Sequence, residues 1–193
     1  MLENLSRYKI VLASNSPRRR ELLAGIGFPF DVKVLPFINE DYPIDMPVQE
    51  IAEYIARKKA DAYRRVMLAD NLIITADTVV IAEGEVLGKP VDVADAHRML
   101  RKLSGRTHQV VTGVCLTTFE KQSHFSVTTD VTFKQLTDEE IAYYIDHYRP
   151  FDKAGAYGIQ EWIGYVGCTC LSGSYFNVMG LPVQRIYTEL ARF

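Results

Sequence analysis

Leu12-Ala13-Ser14-Asn15-Ser16-Pro17-Arg18-Arg19-Arg20-Glu21-Leu22-Leu23 is the stretch on which the reading turns. An apolar run ending at Ala13 stops at Ser-Asn-Ser-Pro and continues as Arg-Arg-Arg-Glu-Leu-Leu. This is the pattern of a strand, a tight polar loop and the first turn of a helix. Ser16 is a good N-cap, and Pro17 suits the first helical position, where a missing N–H costs nothing. Unsatisfied backbone N–H groups, the hydroxyls of Ser14 and Ser16, and the guanidinium groups of Arg18 and Arg19 together attract an anion, with a polyphosphate as the natural guest. A capped helix with a solvated basic face is the plainer alternative.

Outward from this point, strands and helices alternate. A strand over 9–13 leads into a helix over 17–26 and a second strand over 30–35. The recurrence of Val48, Ile51, Ala52, Ile55, Ala62 and Val66 predicts a long amphipathic helix over 47–68. A β-branched strand over 72–81 turns at Glu83-Gly84 and returns through Val86-Leu87. Asp92 caps a helix to about Leu103, and two long alternating stretches, 108–118 and 124–134, read as an antiparallel pair. Thr137-Asp138-Glu139-Glu140 is a capping box opening a helix to about His147. A strand over 164–171 and a helix from Pro182 close the chain. Alternation with long antiparallel pairs points to a mixed α/β fold, not a doubly wound parallel sheet.

The 193 residues are about 48% hydrophobic, enough for a full core in one domain over 1–193. A net charge of −2 argues against a general nucleic-acid binder. The apolar runs are too short for a membrane span, and the first residues lack a signal-peptide pattern. Cys115, Cys168 and Cys170 are an odd count that fits a reduced, cytoplasmic setting, and the four histidines show no metal-ligand spacing. Asp77 interrupts an apolar strand, Ile73-Ile74-Thr75-Ala76-Asp77-Thr78-Val79-Val80-Ile81. A carboxylate there is costly unless paired or metal-bound. Gly88 and Pro90 shape a turn that aims Lys89 in one direction, toward a phosphate or a carboxylate such as Asp77. Glu40 reads on its own as an exposed acidic loop residue. The amide of Gln160, beyond Gly155 and Gly158, offers a donor and an acceptor suited to the edge of a pyrimidine.

The opening stretch resembles the signature of the Maf family of nucleoside triphosphate pyrophosphatases. Six further blocks follow in that family's order: Thr75-Ala76-Asp77-Thr78-Val79-Val80, Leu87-Gly88-Lys89-Pro90, Leu103-Ser104-Gly105-Arg106-Thr107-His108, Val111-Thr112-Gly113-Val114, Asp152 to Gln160, and Gly173-Ser174-Tyr175 to Gly180-Leu181-Pro182. The resemblance implies a strongly twisted, largely antiparallel mixed sheet flanked by helices, in two lobes with a central cleft, shared with the inosine triphosphatase group.

The resemblance also implies hydrolysis of a nucleoside triphosphate between the α and β phosphates, with Mg²⁺ or Mn²⁺ as cofactor. Asp77 is then the general base and a metal ligand, Glu40 the second ligand, and Lys89 a catalytic cation. Ser14, Ser16, Arg18, Arg19 and Lys59 bind substrate, the remaining lysine and arginine of Arg57-Lys58-Lys59 being solvated. Arg18, Thr78 and Gln160 match the dTTP/UTP branch, whereas the 7-methyl-GTP branch tends to carry a bulky aromatic where Arg18 stands. The alternatives are a purine or 7-methyl-GTP pyrophosphatase, and a non-catalytic nucleotide-binding regulator of cell division. A nucleotide-pool house-cleaning role, a link to cell-division arrest and a homodimer are further implications of the same likeness, without nucleic-acid or membrane partners.

Overall fold

The computed structural model describes residues 2–193; Met1, the first residue of the domain expected over 1–193, lies outside them. The elements are β1 (Lys9–Leu12), α1 (Pro17–Ala24), β2 (Asp31–Val32), α2 (Ile51–Arg64), β3 (Asn71–Ala82), β4 (Glu85–Leu87), α3 (Val93–Leu103), β5 (Thr107–Thr117), β6 (Gln122–Phe133), α4 (Asp138–Tyr148), α5 (Trp162–Gly167), β7 (Cys168–Ser172), α6 (Tyr175–Met179) and α7 (Val183–Leu190). Short 3₁₀ turns lie at Glu3–Leu5 and Ala154–Ala156.

Seven strands form a mixed sheet in the order β2-β1-β3-β5-β6-β7, with β4 paired to β3. β1 runs parallel to both β2 and β3, while β4 on β3 and β7 on β6 are antiparallel. β5 and β6 are an antiparallel hairpin: Thr118 N–H donates to Lys121 O at 2.8 Å, and Phe133 N–H to Arg106 O at 3.0 Å. The mixed α/β architecture expected from the alternation is therefore present.

The chain divides into two compact units. Unit 1 comprises residues up to Asp77, Thr112–Val127 and Gly180–Phe193; unit 2 comprises Thr78–Val111 and Thr128–Met179. Within unit 1, Val11, Ala13, Tyr63 and Ile73 form one core cluster. Within unit 2, Val80, Leu87, Leu100, Val131, Phe133, Ile141 and Tyr144 belong to the main core.

Several boundaries differ from the periodicity. β2 is only two residues long because it is an exposed sheet edge; Val32 and Val34 face outward. α2 begins at Ile51, four residues past Pro47, and ends at Arg64, since Val66 and Leu68 at the end of the apolar pattern are exposed. The strand expected over 164–171 is a helix, α5, as far as Gly167, with β7 beginning at Cys168. Gly164 allows that helix: its N–H donates to Glu161 O at 2.9 Å, and a Cβ there would overlap the Ile159 carbonyl. α6 lies in a stretch for which the sequence pattern predicts no helix. Cys115, Cys168 and Cys170 are all free thiols. Among the described residues, no helix is long and apolar enough to cross a membrane.

Candidate active site

The start of α1 forms as its sequence requires. Pro17 opens the helix, and the Ser16 hydroxyl accepts from Arg19 N–H at 3.3 Å. Ser14 Oγ in turn accepts from Ser16 N–H at 3.2 Å, which closes the loop between β1 and α1. Arg19 folds back under this turn. Its Nε donates to Gly180 O at 2.8 Å and its Nη1 to Ala76 O at 2.9 Å. Arg19 thus braces α1 against the residue preceding Asp77, a structural duty that the sequence does not announce. Burial pulls its guanidinium below its ordinary value; Asp77 and Glu40 oppose that shift, and Arg18 reinforces it. The group stays charged near neutrality, because arginine starts so high.

Lys59 Nζ lies 2.8 Å from Asp77 Oδ1 and 2.9 Å from Glu40 Oε1. The pair Lys59–Asp77 is largely shielded, with the side chains 12% and 15% exposed, while Glu40 is open to solvent at 56%. Three sequence candidates are therefore gathered at one point of unit 1. The carboxylate that breaks the apolar pattern of β3 is paired, as its cost demands.

The position of Lys59 follows from how α2 is seated. Ala52, Ala56 and Ala60 are fully buried at four-residue spacing, and Lys59 falls on the same face. Ala56 and Ala60 pack with Cys115 of β5. Gly113, two residues earlier, has no room for a side chain: a Cβ would overlap Glu53 N and the Ala52 carbonyl. Thr75, buried in β3, donates its hydroxyl to Ala56 O at 2.7 Å. Thr75 is two residues before Asp77, and Ala56 three before Lys59. The helix and strand are thus pinned one step away from the ion pair.

The loop bearing Glu40 is held as well. Lys58 Nζ donates to Asp41 O at 2.8 Å and lies 3.5 Å from Asn39 Oδ1, which accepts from Asp41 N–H at 2.6 Å. Upstream, the Tyr63 hydroxyl donates to Lys33 O at 2.8 Å and accepts from Leu35 N–H at 2.9 Å. Lys58, read as a solvated lysine, also anchors this loop through contacts that stay exposed.

Unit 2 holds Thr78, Lys89 and Gln160. Thr78 is half-buried and follows Asp77 along β3. Lys89 is exposed beside Gly88, whose carbonyl accepts from Gly155 N–H at 3.0 Å. Gly155 has φ +67, and a Cβ there would press on Val80, so the backbone of this loop sits directly on β3. Gln160 is half-buried, and its Oε1 is buried with no hydrogen-bond partner among the described residues.

A mixed α/β sheet that presents a capped, arginine-bearing helix start beside a lysine-bridged carboxylate pair has the furniture of a phosphate-handling protein. The model of the Maf-like protein family matches residues 9–193, and the chain belongs to that family. A relative from Phocaeicola vulgatus, named dTTP/UTP pyrophosphatase, is 63% identical over 192 residues and 100% of both chains. A Bacteroides thetaiotaomicron protein of the same name is 57% identical, again over 100% of both. A solved Mycobacterium abscessus nucleoside-triphosphatase / dITP/XTP pyrophosphatase aligns over 95% of each chain at 14% identity with a TM-score of 0.45, a distant likeness.

Proposed function

We propose that this protein hydrolyses dTTP and UTP to the nucleoside monophosphate and pyrophosphate, in keeping with its Maf-like relatives, which are named dTTP/UTP pyrophosphatase, and so clears nucleotides from the pool. The observation that carries this reading is the convergence of Glu40 and Asp77 on Lys59 beside the arginine-bearing start of α1.

The donor set suits a hard divalent cation. Among the described residues no group of three or more His, Cys, Asp and Glu could hold a metal. Mg²⁺, however, is commonly held by one or two carboxylates together with waters and substrate phosphates. Glu40 and Asp77 supply such a pair, with Mn²⁺ as the other fitting ion. When bound, the cation screens phosphate charge and lowers the pKa of water.

The protein's own groups do the rest. Asp77 accepts the proton of the water whose oxygen attacks the α phosphorus. The bond from the α phosphorus to its bridging oxygen breaks, and pyrophosphate leaves with that oxygen. Arg18, the Ser14 and Ser16 hydroxyls and the N–H groups at the start of α1 hold the phosphates. Arg19 adds its charge while bracing the loop, and Lys59 and Lys89 offset charge that develops in the transition state. Thr78 and Gln160 select the base: an amide can accept from the N3–H of uracil or thymine and donate to the neighbouring carbonyl.

The test is a panel of UTP, dTTP, CTP, GTP, ITP and 7-methyl-GTP with Mg²⁺ and with Mn²⁺, run in ¹⁸O-labelled water. UTP and dTTP should lead, with label only in the monophosphate. Preference for 7-methyl-GTP would overturn the specificity, and label in free orthophosphate would overturn the reaction.

A further inference from the structure

Gln160 is the third residue of a turn, Gly158 to Glu161, closed by the Glu161 N–H donating to Gly158 O at 3.0 Å. Tyr144, fully buried in α4, grips this turn twice. Its hydroxyl accepts from Gly158 N–H at 2.9 Å and donates to Glu161 Oε2. The other oxygen, Glu161 Oε1, takes the ammonium of buried Lys153 at 3.1 Å, and Lys153 also reaches Asp152 Oδ1 at 2.8 Å. These groups form a network within unit 2 to which the mechanism gives no task.

The network bears on Gln160 through Gly158. A Cβ on Gly158 would lie 2.9 Å from Gln160 Nε2 and 3.1 Å from Glu161 Oε2, so the amide nitrogen and the carboxylate flank the same point. A negative charge on that side favours the donor end of the amide there and leaves the acceptor end, Oε1, directed elsewhere. That acceptor is buried and has no hydrogen-bond partner among the described residues.

The two ends matter because an amide turned by half a rotation exchanges donor for acceptor. Uracil and thymine present an N3–H donor beside carbonyl acceptors. Cytosine presents an N3 acceptor beside an amino donor. One orientation of the amide pairs with the first pattern, and the reverse with the second. We infer that Glu161, held by Tyr144 and Lys153, locks the orientation of the Gln160 amide and thereby separates uracil and thymine from cytosine. Glu161, Tyr144 and Lys153 are positioning residues, and the inference rests on the reading of Gln160 as the base-contacting residue.

The experiment compares kcat/KM for UTP and CTP in the full chain, its Glu161→Gln and Tyr144→Phe variants, Gln160→Ala, and each of the first two combined with Gln160→Ala. Glu161→Gln and Tyr144→Phe should each lower the UTP-to-CTP ratio about tenfold or more. In the Gln160→Ala background neither should change that ratio further, because the effect passes through the amide. A general loosening of the fold would lower both rates together, so an unchanged ratio in both variants, with Gln160→Ala lowering it, overturns the clamp and leaves the base reading intact. If Gln160→Ala itself leaves the ratio unchanged, the base reading fails and the clamp with it. Should Glu161→Gln lose its thermal transition, Tyr144→Phe, which keeps the buried ring, decides the matter.

Discussion

Lys59 Nζ sits 2.8 Å from Asp77 Oδ1, and both side chains are largely withdrawn from water. The pairing joins the buried face of α2 to the one carboxylate in the apolar middle of β3. It offsets the cost of placing a carboxylate there, because a charged group leaves water at tolerable cost when paired. It also makes the site sensitive to how α2 is seated.

Asp77→Asn is expected to fold and to bind nucleotide, yet to lose turnover by ~10²–10⁴-fold, the range for removal of a positioned base. Steady-state kinetics at saturating UTP and Mg²⁺, alongside nucleotide binding by calorimetry, checks this. Near-normal kcat would remove Asp77 from the chemistry.

Gly113→Ala should destabilise the protein by about 1–3 kcal/mol, the usual cost of overpacking. The added methyl has only backbone to meet, Glu53 N and the Ala52 carbonyl, so relief requires α2 to move outward. Such a shift displaces Lys59, so kcat should fall even where the variant is fully folded. Urea unfolding and kinetics on the same preparation test both statements. Unchanged stability would mean the seam is looser than its geometry.

Glu40→Gln should leave the fold intact and raise the Mn²⁺ concentration for half-maximal activity at least about tenfold, through loss of one anionic oxygen ligand. Mn²⁺ binding followed by electron paramagnetic resonance, with a non-hydrolysable UTP analogue present, gives a readout independent of turnover. Equal binding by variant and parent would exclude Glu40 as a ligand.

Stability should fall as pH drops from about 6.5 toward 4. His108 is buried, with Nε2 2.7 Å from the Tyr157 hydroxyl and its ring edge-on to Phe133 and Tyr157. Desolvation lowers its pKa from 6.5 to about 4, opposed by Asp130. In that window the unfolded chain binds a proton that the folded chain refuses, so each step down in pH favours unfolding, to a total of about 3 kcal/mol. Urea midpoints at pH 7 and pH 5 should therefore differ more for the parent than for His108→Gln. Equal slopes would show that His108 is not the group responsible.

The sequence exposes much of this molecule for physical reasons. A β-branched run marks β3, alternation marks β5 and β6, and the caps at Ser16, Asp92 and Thr137 all form as their residue types suggest. Lys59 could have been found without any resemblance: it is a lysine on the stripe Ala52, Ala56, Ala60 of a core-facing helix, and such a residue needs a buried partner. α5 escapes the pattern because Gly164 and Gly167 mimic the small, alternating residues of a strand while serving close helix contacts. The duties of Arg19 and Lys58 escape it because their partners are backbone carbonyls, which every residue carries. Tyr144 escapes it because a buried tyrosine in a helix reads as core until Glu161, seventeen positions later, proves to be its partner.

The lysine bridge has a consequence for the resting protein. Two carboxylates gathered without a counter-charge would repel one another and splay the loop that carries Glu40. With an ammonium already seated against both, the cluster remains assembled in a chelator, and folding need not wait for an added ion. Divalent cation demand then falls at the encounter with nucleotide, and the thermal transition of the empty protein should be indifferent to EDTA.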